Sequence, residues 1–347
     1  MTTAIDRYNS LKQVLSEYQG LAIDTLLAYI PPSEPRRYLY DLVESYPRRP
    51  GKGFRPALCI ATCKAFGGTA QHAFRSAAAL ELFHNACLVH DDVEDESDFR
   101  RGGQTLNREF GNSIAVNVGD AMNMLCLRPI MENLTVLGPN LTYQIFSEIE
   151  HMVRQSVEGQ ALELGWVRDV VCEMAEDDYL RMVLKKTCWY TCIHPCRIGS
   201  IIGTGGQYNA DLFNKFGYYM GAAFQIQDDI LNLVGDLEKY GKEIGGDIWE
   251  GKRTLMMIHL LNHCTPQEKD RLRVYLCKQR KERTAEEVAW VFELMGVYQS
   301  IEYARSSSRQ LAGAALREFF VAFGSAPDSA DKRFIQDIVL YMIERDL

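Results

Sequence analysis

Apolar residues recur at helical spacing along this chain almost without a break. Between residues 5 and 30, Leu11, Val14, Leu15, Tyr18, Leu21, Ala22 and Leu26 fall on one side, which predicts an amphipathic helix. Pro31, Pro32 and Pro35 stop it. A short helix is predicted from Arg37 to Ser45, ended near Pro47 and Pro50. The segment GKGFRP, Gly51 to Pro56, reads as a turn, with Pro56 opening a helix that Gly67 and Gly68 close. Further helices are expected over 69–90, 112–136, 140–165, 173–204 and 208–234. Gly235 to Gly251 is a Gly- and charge-rich loop, and helices from 253 carry the chain to its end. No alternating β pattern of useful length, internal repeat, low-complexity linker or shift in composition interrupts this. The expected architecture is therefore all-α, a helical bundle of one domain over residues 1–347.

Composition narrows the function classes. Of 347 residues, 47% are hydrophobic and 24% charged, ordinary for a globular protein. The net charge of −8 argues against nucleic acid or an anionic membrane as partner. No apolar run approaches the ~18 residues that cross a bilayer. MTTAIDRYNS lacks the apolar core of a signal peptide, so the ten cysteines read as reduced thiols of a cytoplasmic protein.

Two stretches carry the chemistry. In HNACLVHDDVEDESDFRRGG, residues 84–103, an apolar helix with Leu80, Phe83, Cys87 and Leu88 delivers Asp91, Asp92 and Asp95. Asp91 and Asp95, four apart, share a face. Hard carboxylates without His or Cys suit Mg²⁺, which is commonly shared with substrate phosphates. Arg100 and Arg101 flank them as phosphate contacts. Alone, such a cluster reads as a solvated helix end. The second stretch, FQIQDDILNLVGD from Phe224, again runs an apolar helix into paired acids, Asp228 and Asp229, with Asn232 after them. Two acid pairs, each closing an apolar helix, can face one another across a cavity and hold metal between them.

Other polar residues are candidates for the same cavity. Lys52 and Arg55 sit on the Gly-flanked turn, either as phosphate ligands or as plain surface. His84 lies two turns before Asp91, either facing the site or satisfied in the core. Lys186 and Thr187, in VLKKTCWYTC, interrupt an apolar helix, and an inward Lys needs an anion. Gln160 and Glu163, in EGQALE, are polar groups on an apolar helix. Lys242, Asp247 and Lys252 populate the loop after the second acid pair, whose default reading is a solvated loop. Cys188, Cys192 and Cys196 are spaced by four around His194; a zinc site is one reading and a stripe of small core residues the favoured one. Pro195 is expected to kink that helix.

GKGFRP, ELFHNACLVHDDVEDESDFRRGG, GQALE, KKT, FQIQDDIL and GKEIGGDIWEGKRT together, in this order over roughly residues 45–260, resemble the trans-isoprenyl diphosphate synthases, the polyprenyl synthetase family, most like its short-chain geranylgeranyl members. The resemblance implies the isoprenoid synthase fold around a deep central cavity, three Mg²⁺ ions and a homodimer. It implies isopentenyl diphosphate and an allylic diphosphate as substrates, joined head-to-tail. By motif, Asp91, Asp92 and Asp95 match the first aspartate-rich motif, with Asp91 and Asp95 binding two ions. Asp228 matches the ligand of a third, supported through water by Asp229. Arg100 matches the allylic diphosphate contact. Lys52, Arg55, His84 and Arg101 match the isopentenyl diphosphate site. Lys186, Lys242 and Lys252 match lysines that clamp the allylic diphosphate, and Thr187 and Gln225 the dipoles near the developing allylic cation. Two departures stand out: Asn232 where Asp is frequent, and Asn107 where His is frequent.

A bulky residue one turn before the first motif stops growth early in this family. Here that turn carries Ala86 and Cys87, both small, and Phe83 one turn lower is the expected floor, with Met122 and Leu125 sharing it. The expected product is C20 geranylgeranyl diphosphate, with C15, C25 or longer as alternatives. A class I terpene cyclase is the rival reading, but it has no use for a second diphosphate site. A non-catalytic partner subunit would be expected to lose aspartates, and an unrelated Mg²⁺ phosphohydrolase would not explain the apolar helices feeding each pair.

Overall fold

A computed structural model describes residues 4–235 and 245–344. Lys242 lies outside the described residues. Helices make up nearly all of the rest: α1 Ala4–Leu27, α2 Asp41–Arg48, α3 Phe54–Ala65, α4 Ala70–Glu94, α5 Leu106–Phe110, α6 Asn112–Leu125, α7 Leu127–Glu132, α8 Gly138–Arg168, α9 Glu176–Val183, α10 His194–Thr204 and α11 Phe213–Val234. From Gly246 on come α12 Gly246–Glu250, α13 Leu255–His263, α14 Pro266–Cys277, α15 Ala285–Val297, α16 Ser300–Ala322 and α17 Ala330–Glu344. Among the described residues the strands are two pairs, β1 Phe99–Arg100 and β2 Gly103–Gln104, a hairpin turned by Arg101 and Gly102. Both corner residues have positive φ, +52° and +77°, the sign pattern of a type I′ turn.

Two helices are buried almost all round, because their small residues let neighbours approach. In α3, Ala57, Leu58, Cys59, Ile60, Ala61 and Cys63 have no exposure. A Cβ on Gly199 of α10 would lie 2.5 Å from the Cys59 carbonyl, so glycine sets that helix contact. In α4, Ala73, Ala77, Leu82 and Ala86 are likewise buried, and the helix runs on to Glu94, one turn beyond the predicted end. Asp91 and Asp92 are thus in its last turn. Helix α11 serves two apolar clusters. Phe213, Phe216, Met220 and Phe224 join one, built on α1, α3, α4 and α17. Ala222, Ile226, Ile230 and Leu233 join the other, built on α9 and α13 to α15.

The predicted helix over 173–204 is three pieces. Residues Leu184–Ile193 form a π-helical segment between α9 and α10. Pro195 follows directly on that segment, inside a helical run that is continuous from Glu176 to Thr204. Cys188, Cys192 and Cys196 are fully buried free thiols in the core, as favoured. The predicted 112–136 helix breaks at Cys126.

A buried polar chain braces α8 against α10. His151 lies 2.9 Å from His194, which lies 2.7 Å from Glu148, and Arg197 donates to both Glu148 oxygens. Burial pushes the Glu148 carboxyl up, but hydrogen bonds from Arg197 and His194 outweigh it and hold it at about 2. A carboxyl depressed below its ordinary value of about 4.3 stabilises the fold above that pH and loses the contribution as pH falls toward its folded value. Thermal melts should therefore show stability falling between about pH 4.5 and 2. Glu148→Gln should flatten that limb, and an unchanged acid slope would show that other groups carry it.

Candidate functional site

The first acid motif splits by direction. Asp92 is 1% exposed; Tyr46 donates to its Oδ2 at 2.6 Å and Arg100 Nε to its Oδ1 at 2.9 Å. Burial works against the Arg100 charge, and Asp92 more than compensates. Both oxygens of Asp92 and the head of Arg100 are therefore spent on each other and on Tyr46. A metal-ligand role for Asp92, or a diphosphate contact for Arg100, would require breaking this pair. Asp91 makes no such pair. Asp95, just past the helix, accepts from Lys252 Nζ at 2.7 Å, and Lys252 also pairs with Glu250 at 2.8 Å.

The second motif opens on a polar cavity, to which Lys252 ties the first. Glu163, Tyr179, Lys186, Thr187, Gln225, Asp229, Asp247 and Lys252 line it. Because Lys252 also holds Asp95, the ends of α4 and α11 face this one chamber. Lys186 projects from the π-helical segment and is ion-paired with Glu163 of α8. Burial lowers the affinity of Lys186 for its proton, and Glu163, Asp91 and Asp95 raise it further than burial lowers it. A Cβ on Gly159 would overlap the Lys186 backbone, and one on Gly221 would come within 2.8 Å of Cys188 Cα. The segment carrying Lys186 and Thr187 is thus pressed between glycines of α8 and α11, a common setting for a functional π-bulge. Within the cavity Thr187 donates to Gln225 Oε1, Gln225 Nε2 to Asp229 Oδ1, and Tyr179 to Asp229 Oδ2, each at 2.8 Å. Burial, with Glu163 and Asp228 nearby, pushes the Asp229 carboxyl up to about 7.

A second cationic cradle lies deeper along α4. His84 Nε2 is 3.2 Å from Arg55 and 3.3 Å from Arg101. Burial first, then Arg55, Arg101 and Arg100, push its pKa well below the usual histidine value, so it stays neutral and accepts from the arginines. Its Nδ1 is buried without a partner. The hairpin turn lays Arg101 over Gly51, where a Cβ would be 3.1 Å from the guanidinium carbon, and exposed Lys52 is next on that turn. Arg55 also donates to Tyr190 and Thr191. Phe83, 3% exposed, packs edge-on to Tyr190 with ring centres 6.0 Å apart, while Ala86 is fully buried and Cys87 partly exposed.

Several participants were not singled out from sequence. Tyr46, Tyr179 and Tyr190 look like core aromatics at helical spacing. Arg280, in a charged turn, donates to the Asp95 carbonyl at 3.2 Å and to Glu250 at 2.9 Å. Asn232 accepts from the Asp247 N–H at 3.0 Å and so anchors the start of α12, a task needing oxygen but no charge. Asn107 is buried, with its side-chain oxygen unpartnered.

Among the described residues no three His, Cys, Asp or Glu side chains converge into a ready-made cage.

The sequence model described as Polyprenyl synthetase matches residues 36–295. A geranylgeranyl diphosphate synthase of Saccharolobus solfataricus is 31% identical over 77% of this chain and 78% of its own. An octaprenyl diphosphate synthase of Escherichia coli is also 31% identical, over 85% and 86%. The crystal structure of a geranylgeranyl pyrophosphate synthetase from Pyrococcus horikoshii superposes with a TM-score of 0.85 at 28% identity, covering 97% of this chain and 99% of that one.

Proposed function

Since this chain belongs to the polyprenyl synthetase family and is a trans-prenyl diphosphate synthase, we propose how its own residues divide the work and that its product is geranylgeranyl diphosphate. The allylic diphosphate is assigned to the chamber between α4 and α11, and isopentenyl diphosphate to the Arg55–His84–Arg101 cradle with Lys52. The observation that carries this is the Lys252–Asp95 contact in a cavity also lined by Asp229 and Lys186. It brings acids from both motifs and two clamping lysines to one place.

The chemistry follows from those placements. The allylic C–O bond breaks, its electron pair leaving with diphosphate. Lys186 and Lys252 stabilise that leaving charge, joined by Lys242 in the assignment. Mg²⁺, three ions in this reading, would be held by Asp91 and Asp95 and by Asp228, and supplies charge neutralisation of the diphosphate. Thr187 and Gln225 present oxygens to the allylic cation. The isopentenyl double bond attacks it, forming the new C–C bond, and the adjacent proton is lost to the departed diphosphate. Apolar helix faces exclude water that would quench the cation.

The same reading takes residues 1–347 as one domain, since α11 feeds both apolar clusters. A homodimer is supported by apolar side chains left exposed along α6 to α8, Met124, Met131, Tyr143, Phe146 and Val157 among them. No described helix is long and apolar enough to cross a membrane. Free thiols favour the cytoplasm.

The test is incubation with Mg²⁺, isopentenyl diphosphate and each short allylic diphosphate, followed by sizing of the products. Diphosphate release that needs isopentenyl diphosphate supports the synthase; release without it supports a cyclase. Phe83 is the proposed floor, one turn below Cys87. Phe83→Ala should shift products from C20 to C25 and longer, by about one isoprene unit per helical turn removed. An unchanged product distribution would move the floor elsewhere.

A further inference from the structure

Thr187 and Gln225 have clear assignments, but nothing so far explains what sets the direction of their dipoles. A threonine hydroxyl rotates freely, and an amide can present either end. Only a fixed direction stabilises a cation: an oxygen lone pair must face the chamber while the hydroxyl proton faces away.

The direction is determined four residues further along α11. Asp229 is 7% exposed and accepts two hydrogen bonds. One oxygen faces the Tyr179 hydroxyl and the other the Gln225 amide, and Gln225 turns its NH₂ toward Oδ1 at 2.8 Å. Its carbonyl then faces Thr187, where it takes the single hydroxyl proton. What remains on Thr187 toward the cavity is lone pair. A carboxylate held at one oxygen can still turn about its last torsion, which is broad and two-fold. Tyr179 removes that freedom by donating to the other oxygen, Oδ2, at 2.8 Å. Tyr179 is itself 1% exposed, in the first turn of α9, the short helix that leads directly into the π-helical segment carrying Thr187.

We propose that Tyr179 is a positioning residue whose hydroxyl fixes the polarity of the Tyr179–Asp229–Gln225–Thr187 relay and so aims the Thr187 oxygen at the developing allylic cation. This inference rests on the synthase reading of the site. It deepens that reading by assigning a function to a buried tyrosine that the reading left without a role.

Tyr179→Phe removes one oxygen and keeps the ring. The expected result is kcat lower by about 10- to 100-fold, somewhat less than the loss of a direct oxyanion donor. KM for both diphosphates should stay within about 3-fold, as should the affinity for inorganic diphosphate with Mg²⁺ by calorimetry, because ground-state charge clamping is untouched. Tyr208→Phe, which removes a hydroxyl bonded to the Ala322 carbonyl outside the chamber, should match the parent in every readout. A double-mutant cycle gives the sharper answer: in a Thr187→Val background, Tyr179→Phe should add almost nothing. Unchanged kcat in Tyr179→Phe, or additive losses in the cycle, overturn the relay. Equal loss of kcat and of Mg²⁺-diphosphate affinity also overturns it, because Tyr179 would then be supporting the metal site. If Tyr179→Phe does not fold, the cycle is run with Gln225→Met and Thr187→Val, where additivity again rejects the idea. Should the parent protein make no prenyl product, the synthase reading fails first; a working parent with an indifferent Tyr179→Phe fails this inference alone.

Discussion

Asp91→Ala is expected to lower kcat by about 10³-fold or more while the protein still folds, because charge stabilisation of a leaving group is typically the largest single contribution to such catalysis. The three aspartates of the first motif are not equivalent. Asp92 is locked to Arg100 and Tyr46, and Asp95 is tied to Lys252. Asp91 is the member left partly exposed in the last turn of α4 without an ion pair, so removing it strips charge from the chamber and little from the fold. Asp92→Ala should behave differently. It would leave buried Arg100 unpaired and cost about 3–5 kcal/mol of stability. Steady-state kinetics beside thermal melts separates the two. Similar activity losses with the melting order reversed would mean that Asp92, not Asp91, holds the metal.

Arg101→Ala is expected to raise KM for isopentenyl diphosphate about 100-fold, near 2.7 kcal/mol, with kcat at saturation within about 3-fold. Burial, Arg100, Arg55 and Arg49 all destabilise the charge on Arg101, and Glu81 alone offsets them. Glu81 is itself buried, and burial raises its pKa. His84 brings no charge. Arginines held together this way call for an anion, and a diphosphate supplies it. Few bonds of the fold depend on Arg101, whose contacts to Tyr46 O and His84 are 3.4 and 3.3 Å. Measuring both KM values decides the assignment: a rise for the allylic substrate alone would exchange the two diphosphate sites.

The helices were readable because each buries a continuous apolar face, and the two acid pairs were readable because charge at the end of such a helix is conspicuous. Side-chain direction was not. Asp91 and Asp92 are adjacent in sequence and 100° apart on a helix, yet only the position of Tyr46, far earlier in the chain, assigns one to the core. The π-helical segment leaves no periodic trace in ten residues, and the glycines that lie against it, Gly159 and Gly221, come from other helices. Asn232 stood out only as a departure from the frequent Asp, and it is an anchor for α12. Arg280 reaches the acid motif only because α14 returns the chain there.

The central claim is that Asp91 and Asp228 serve one chamber. Electron paramagnetic resonance of bound Mn²⁺, titrated with inorganic diphosphate, tests it directly. The account predicts diphosphate-dependent Mn²⁺ binding that Asp91→Ala and Asp228→Ala each severely weaken. Undiminished binding in either variant, or binding indifferent to diphosphate, would contradict it.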